Sequence, residues 1–291
     1  MPTPVFLYES PDEIPAARPV AVIPAPMEVS VSWGRGTAGG PAALLAASQQ
    51  VEYYDPELDA EPCLAFGIET LPALEEAEPK SWVASIEACC SGLLSSGVLP
   101  ALVGGEHTVT LGAVQAACAR GPLLVVQIDA HADLRDTYGG SPLSHACVMR
   151  RCREAGAEVL SVGVRAFSAC EAGRMHSDPF HHAVAVSDLR ADDAWRDTLS
   201  GLAADRAVYI SVDLDGIDPA VVPAVGTPVP GGLTWEETLD VIRTACSHAR
   251  SVAGLDVVEL APREGERRSD FAAASLLYFA IARAAKTNGF F

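Results

Sequence analysis

Lysine is nearly missing from this 291-residue chain: Lys80 and Lys286 are the only two, so arginine supplies almost all of the 20 basic side chains. Set against 38 acids, they leave a formal charge of -18 at pH 7. A nucleic-acid partner is therefore not expected, because binding a phosphate backbone needs a basic face. Long apolar runs are missing too. None approaches the ~18 residues of a membrane span, so no membrane partner is expected. Met1 to Pro15 carries acids and prolines where a signal peptide has a basic segment and an apolar core, so the expected location is the cytoplasm. The eight cysteines form no Cys-x-x-Cys pair; Cys89 and Cys90 are adjacent and the others scatter through apolar segments. Neither a disulfide framework nor a zinc site follows, and free buried thiols in a reducing compartment are the reading. No internal repeat and no Pro-, Gly- or Ser-rich linker divides the chain, so one domain over 1–291 is expected.

With nearly half its residues apolar, the chain can bury one large core. Short apolar runs at Val20–Ile23, Leu99–Val103, Leu123–Ile128, Val159–Val164, Ala183–Val186, Ala207–Val212 and Ala253–Val258 read as strands. They are too apolar to alternate, which is how strands buried on both faces of a parallel sheet look. Between them Ser81–Ser95, Val109–Ala119, Asp192–Ala204, Trp235–Ala249 and Phe271–Ala284 read as helices, with Thr108 and Thr234 as caps. Strand–helix alternation predicts a doubly wound α/β sandwich. In such sheets ligands collect beyond the carboxyl ends of the strands.

Three chemically loaded segments follow predicted strands. They are Gly104-Gly105-Glu106-His107, Asp129-Ala130-His131-Ala132-Asp133 and Asp213-Leu214-Asp215-Gly216-Ile217-Asp218-Pro219. So many carboxylates cannot share a small site unless cations neutralise them. Imidazole with carboxylate oxygens suits a borderline-hard divalent ion, and two such ions can make a hydroxide nucleophile. Each segment alone has a plainer reading, as a structural histidine or a turn; Asp218, preceding Pro219, is read as a turn cap. The remaining histidines, His176, His181, His182 and His248, are expected on loops or helix faces.

In this order, the three segments resemble the motifs of the ureohydrolase family of arginases and agmatinases. Gly226-Thr227-Pro228-Val229-Pro230-Gly231-Gly232 and Glu259-Leu260-Ala261-Pro262 continue the resemblance. It implies a three-layer α/β/α fold with a mostly parallel central sheet, assembled as homotrimers or homohexamers, with two Mn²⁺ ions per subunit and Ni²⁺ as the alternative. His107, Asp129, Asp133 and Asp213 would hold one ion. His131, Asp129, Asp213 and Asp215 would hold the other, so that Asp129 and Asp213 bridge. A hydroxide between the ions would attack a guanidinium carbon and release urea and an amine. Asp133 would bond that hydroxide and pass the proton on, Glu259 would pair with the guanidinium, and His145 would shuttle protons. His145 could instead be a helix-start histidine bonded to a carbonyl, and Glu259 could pair with Arg263 or Arg165.

Departures from the arginase pattern bear on the substrate. Arg135 stands where arginases have an asparagine for the substrate's α-carboxylate. Ser168 replaces the aspartate for its α-amino group, although Glu171 keeps an acid nearby. Glu106 stands where many relatives have aspartate. The stretch from Val22 through Ser32-Trp33-Gly34-Arg35-Gly36-Thr37 to Gly40-Pro41 is similar to the agmatinase branch, including members acting on aminopropyl-agmatine. The substrate implied is a guanidino amine: agmatine, giving putrescine, or aminopropyl-agmatine, giving spermidine. Arginase, guanidinobutyrase and guanidine hydrolase are the rivals. A non-catalytic oligomeric relative is the reading from a different class, and it predicts missing ligands, whereas all six positions are filled. Arg135 could pair with a substrate carboxylate, which would favour a guanidino acid, or equally with Asp136 or Glu171.

Overall fold

The computed structural model describes residues 5–291, so the first four residues of the Met1–Pro15 stretch lie outside it. Eight strands form one sheet: β1 (Val20–Ala25), β2 (Ile68–Thr70), β3 (Leu99–Gly104), β4 (Leu123–Ile128), β5 (Glu158–Val162), β6 (His181–Val184), β7 (Ala207–Asp213) and β8 (Ser251–Val258). Their order is β2-β1-β3-β8-β7-β4-β5-β6, and every neighbouring pair is parallel. The helices are α1 (Gly40–Ser48), α2 (Pro62–Ala65), α3 (Pro79–Ser95), α4 (Thr110–Cys118), α5 (Val148–Glu154), α6 (Ala169–Ser177), α7 (Val186–Ala191), α8 (Ala194–Ala203), α9 (Trp235–His248) and α10 (Arg268–Thr287). No helix among the described residues is long and apolar enough to cross a membrane.

Alternation along each strand divides the apolar residues between two cores. Leu124, Val126 and Ile128 of β4 pack in the core shared with α1, α8, α9 and α10. Leu123 and Val125 of the same strand pack in the core shared with α3, α4 and α5. Helices thus cover both faces, giving the three layers expected. Thr234 caps α9 in a reciprocal box with Glu237. Thr108 is no cap: the chain makes a tight 3-10 turn over His107–Val109, and the Thr108 hydroxyl donates to Glu106 at 2.6 Å.

The sheet edge corrects one expectation. His181 and His182 lie on strand β6, not on a loop or helix, and the strand ends at Val184 so that Val186 opens α7. His181 is buried, and burial lowers its pKa to about 4 from an ordinary 6.5. A base whose folded pKa is depressed contributes stability in full above pH 6.5, and that contribution fades as pH falls towards 4. Relative to His181→Gln, the wild type should therefore lose about 2 kcal/mol between pH 7.5 and pH 5. Urea unfolding of both proteins at the two pH values measures it; a pH-independent difference would show that His181 titrates normally.

Candidate active site

The four central strands of the sheet, β3, β8, β7 and β4, are spatial neighbours, and each delivers site residues from its carboxyl end. His107 follows β3, Glu259 follows β8, Asp213 ends β7 with Asp215 two residues on, and Asp129, His131 and Asp133 follow β4. Close backbone approach makes this convergence work. A Cβ on Gly216 would lie 2.7 Å from the Asp129 amide nitrogen, and one on Gly105 would lie 2.0 Å from the Met27 carbonyl oxygen. Only glycine lets these loops pack together.

Two groups of side chains converge there. Ligand atoms of His107, Asp129 and Asp213 lie within 4.8 Å of one another, and so do those of Asp129, His131 and Asp215. Asp129 belongs to both. The His107 Nδ1 sits 3.2 Å from Asp129, 3.1 Å from Asp133 and 3.4 Å from Asp213, yet it has no hydrogen-bond partner. A buried ring nitrogen facing three carboxylate oxygens and directed at none of them fits a shared cation better than a hydrogen bond. Its other nitrogen, Nε2, lies 2.9 Å from the Ser211 hydroxyl, which donates to the buried carboxylate of Asp256 at 2.8 Å. Such a partner fixes the tautomer that leaves Nδ1 free for a metal. His131 Nδ1 is 3.0 Å from Asp215, and Thr227 donates to the same carboxylate at 3.0 Å.

Without cations this cluster cannot be fully ionised. Burial, then the charge of Asp129, pushes Asp133 up to about 7. Burial and neighbouring carboxylates likewise raise Asp213 and Asp215. Asp129 alone is lowered: burial pushes it up, but the His107 and His131 imidazoles beside it outweigh that burial. Divalent ions would relieve this repulsion, and the donor set of two imidazoles and four carboxylates is thiolate-free. The residues present therefore fit a pair of divalent metals.

Above the cluster opens a cavity of about 220 Å³, lined by Ser32, Trp33, Asp133, Arg135, Tyr138, His145, Glu171 and Glu259 among others. Asp133 and Glu259 both have left-handed backbones, with φ of 52° and 65°. For residues other than glycine that costs roughly 1–3 kcal/mol each and is concentrated at functional sites. Glu259 accepts the His107 amide N–H at 2.7 Å and has no cationic partner among the described residues. Arg165 instead donates to the backbone carbonyls of Gly163, Asp215, Gly216, Val229 and Pro230, and Arg263 to that of Val225. Burial raises the Glu259 carboxyl to about 8. His145 opens a short 3-10 turn, and its ring is held from both sides: Nδ1 lies 2.8 Å from the Ser30 hydroxyl and Nε2 lies 2.8 Å from that of Ser32. Burial lowers its pKa to about 4, so the imidazole is neutral.

Known proteins place this geometry. A profile described as the Arginase family matches residues 18–282. The chain belongs to the arginase family. It is 38% identical over 270 residues to the N(1)-aminopropylagmatine ureohydrolase of Synechocystis, covering 89% of this chain and 87% of that one. It is 34% identical over 250 residues to the agmatinase of Bacillus anthracis, covering 84% and 83%. Among solved structures, the agmatine ureohydrolase of Thermoplasma volcanium matches with a TM-score of 0.83 and 30% identity over 95% of this chain and 94% of that one.

Within this arginase-family fold, all six residues assigned to metals from the sequence converge, with Glu259 and His145 at the cavity above them. The rim residues separate. Arg135 lines the cavity with its guanidinium 5.3 Å from the Tyr138 ring and 3.8 Å from Glu171, while Asp136 is engaged by Arg150 and Arg151. Ser168 caps α6 in a reciprocal box with Glu171, whose carboxylate also accepts the Leu134 amide. Asp218 accepts the amides of Ala220, Gly231 and Gly232, the turn-capping task expected of it. Residues without an assigned role also emerge. Glu106 accepts the Val29 and Ser30 amides and the Ser30 hydroxyl, which pins the loop carrying Ser30 and Ser32 beside His145. Gln127 and Asp256 are polar residues inside strands buried on both faces. That interruption was the signal for them.

Proposed function

We propose that this arginase-family chain, one ureohydrolase domain over 1–291, hydrolyses a guanidino amine to urea and a primary amine, with aminopropyl-agmatine and agmatine as substrates. The carrying observation is the pair of His/Asp groups joined at Asp129 beneath a carboxylate, Glu259, that has no cationic partner among the described residues. The substrate reading rests on the names of the relatives.

His107, Asp129, Asp133 and Asp213 would hold one Mn²⁺, and Asp129, His131, Asp213 and Asp215 the other. Bound there, the two ions would lower the pKa of water and so supply hydroxide at neutral pH. Glu259 would pair with the planar guanidinium, a match of acceptor and donor geometry that aims its carbon at the cluster. The leaving nitrogen needs a proton as the tetrahedral carbon collapses, and Asp133, which lines the cavity beside His107, would carry one from the attacking oxygen. His145, neutral and oriented by Ser30 and Ser32, can pass protons between this site and solvent. The reaction balances: guanidinium and water give urea and an ammonium.

Among the described residues Arg135 is the one arginine or lysine lining the cavity, and the Glu171 carboxylate 3.8 Å away competes with a substrate carboxylate for it. Urea release with Mn²⁺ should accordingly be at least about 100-fold higher in kcat/KM for the better of aminopropyl-agmatine and agmatine than for arginine. The assay includes guanidinobutyrate and guanidine. No urea from any substrate would overturn the activity, and release from arginine alone would overturn the substrate class.

A further inference from the structure

Gln127 is fully buried in β4, with Ser161 beside it on β5 and His181 on β6, all on the sheet face covered by α4 and α5. One amide proton of Gln127 goes to Asp129 Oδ2 at 2.6 Å, and the Gln127 Nε2 also lies 3.3 Å from the His131 carbonyl oxygen. The Ser161 hydroxyl donates to Gln127 Oε1, and His181 Nε2 lies 3.1 Å from the same hydroxyl. An ionised carboxylate accepts only, so the direction of every bond is forced. Gln127 must turn its NH₂ towards Asp129, which turns its carbonyl towards Ser161. Ser161 then donates its single proton to that carbonyl, which leaves its oxygen to accept N–H from His181. The remaining His181 nitrogen, Nδ1, has no partner in the protein, as a neutral Nε2–H tautomer at the end of such a chain would leave it.

We propose that Gln127, oriented by Ser161 and His181, is a positioning residue for the metal pair: it holds Asp129, one of the two carboxylates shared by both ion sites, and the backbone of the Asp129–His131 segment. The inference rests on the reading of the cluster as a two-metal centre. Ser211 offers an internal contrast, since it supports only His107 and therefore only one of the two ions. Partners of this kind change metal affinity by about 10–100-fold.

The test uses the full chain loaded with Mn²⁺ and titrated with a competing chelator, with retained ions counted per folded chain. Gln127→Met, near-isosteric but without donors, should release both ions at 10–100-fold lower chelator concentration than wild type. Ser161→Ala, which leaves Gln127 in place but unoriented, should shift both ions in the same direction by a smaller factor, and it carries the test if Gln127→Met fails to fold. Ser211→Ala should loosen one ion and leave the other near its wild-type affinity. A general packing role would lower the melting temperature without changing ion retention by the folded protein. Wild-type retention of both ions in Ser161→Ala and any folded Gln127→Met overturns the inference alone. Failure of wild type to retain two ions overturns it together with the two-metal reading.

Discussion

Asp129→Asn should lose both metal ions together and reduce urea release by roughly 10⁴-fold, or about 5 kcal/mol of transition-state stabilisation. Asp129 belongs to both of the His/Asp groups that converge in the structure, is expected with Asp213 to bridge the ions, and has a fully buried carboxylate near His107 and His131. Asparagine keeps the shape but removes the negative charge and one anionic oxygen, so each ion loses one of the two carboxylates expected to bridge the pair. The metal-free variant should still be folded at the assay temperature, because relief of the repulsion that raises Asp133, Asp213 and Asp215 offsets much of what is lost when Asp129 no longer serves as an anionic acceptor for Gln127 and the His131 amide. Elemental analysis after dialysis, urea release and thermal melting of both proteins read the three consequences. An Asp129→Asn protein that keeps two ions would contradict the bridging role. One that is inactive because it melts early would turn the residue into a folding determinant.

Glu259→Gln should act on the substrate and leave the metals in place. We expect two ions per chain as in wild type, and a fall in kcat/KM of roughly 10²–10³-fold, about 3–4 kcal/mol. The amide can still accept the His107 N–H that now goes to Oε1, so the loop should keep its geometry. What is lost is a carboxyl group that a guanidinium cation beside it would bring down from about 8 and hold ionised. Steady-state urea release from aminopropyl-agmatine, paired with ion counting, separates the outcomes. An unchanged kcat/KM would reduce Glu259 to a clamp on the His107 backbone, and a loss of ions would place it among the metal supports.

The sequence carried the central sheet well because its inner strands are buried on both faces. Leu123–Ile128 was read with its observed ends, and six other strands were found with shifted boundaries. β2 escaped notice because it is only three residues long, too short for any periodicity. The start of α1 is legible in Gly40-Pro41, where a proline opens the helix, but its extent is not, because Gly40–Ser48 is apolar almost all round and shows no stripe. β6 was misplaced because His181 and His182 look like loop residues until the neighbouring strand and helices bury one of them. The metal cluster was legible because it comes as contiguous motifs after strands. The groups supporting it were not, since Gln127, Ser161 and His181 are 34 and 20 residues apart along the chain and meet only through strand pairing. Ser168-x-x-Glu171 has the spacing of a capping box, and the structure uses it so; comparison with arginases had pointed instead to a substrate contact.

The central claim is that two ions at one buried Asp129-linked cluster make this chain release urea. Titrating Mn²⁺ into the metal-stripped full chain, with urea release from aminopropyl-agmatine recorded at each addition, tests it most directly. Activity should rise with ion binding and saturate when two ions are bound per chain. Saturation at one ion, or urea release that does not depend on the ions, would contradict it.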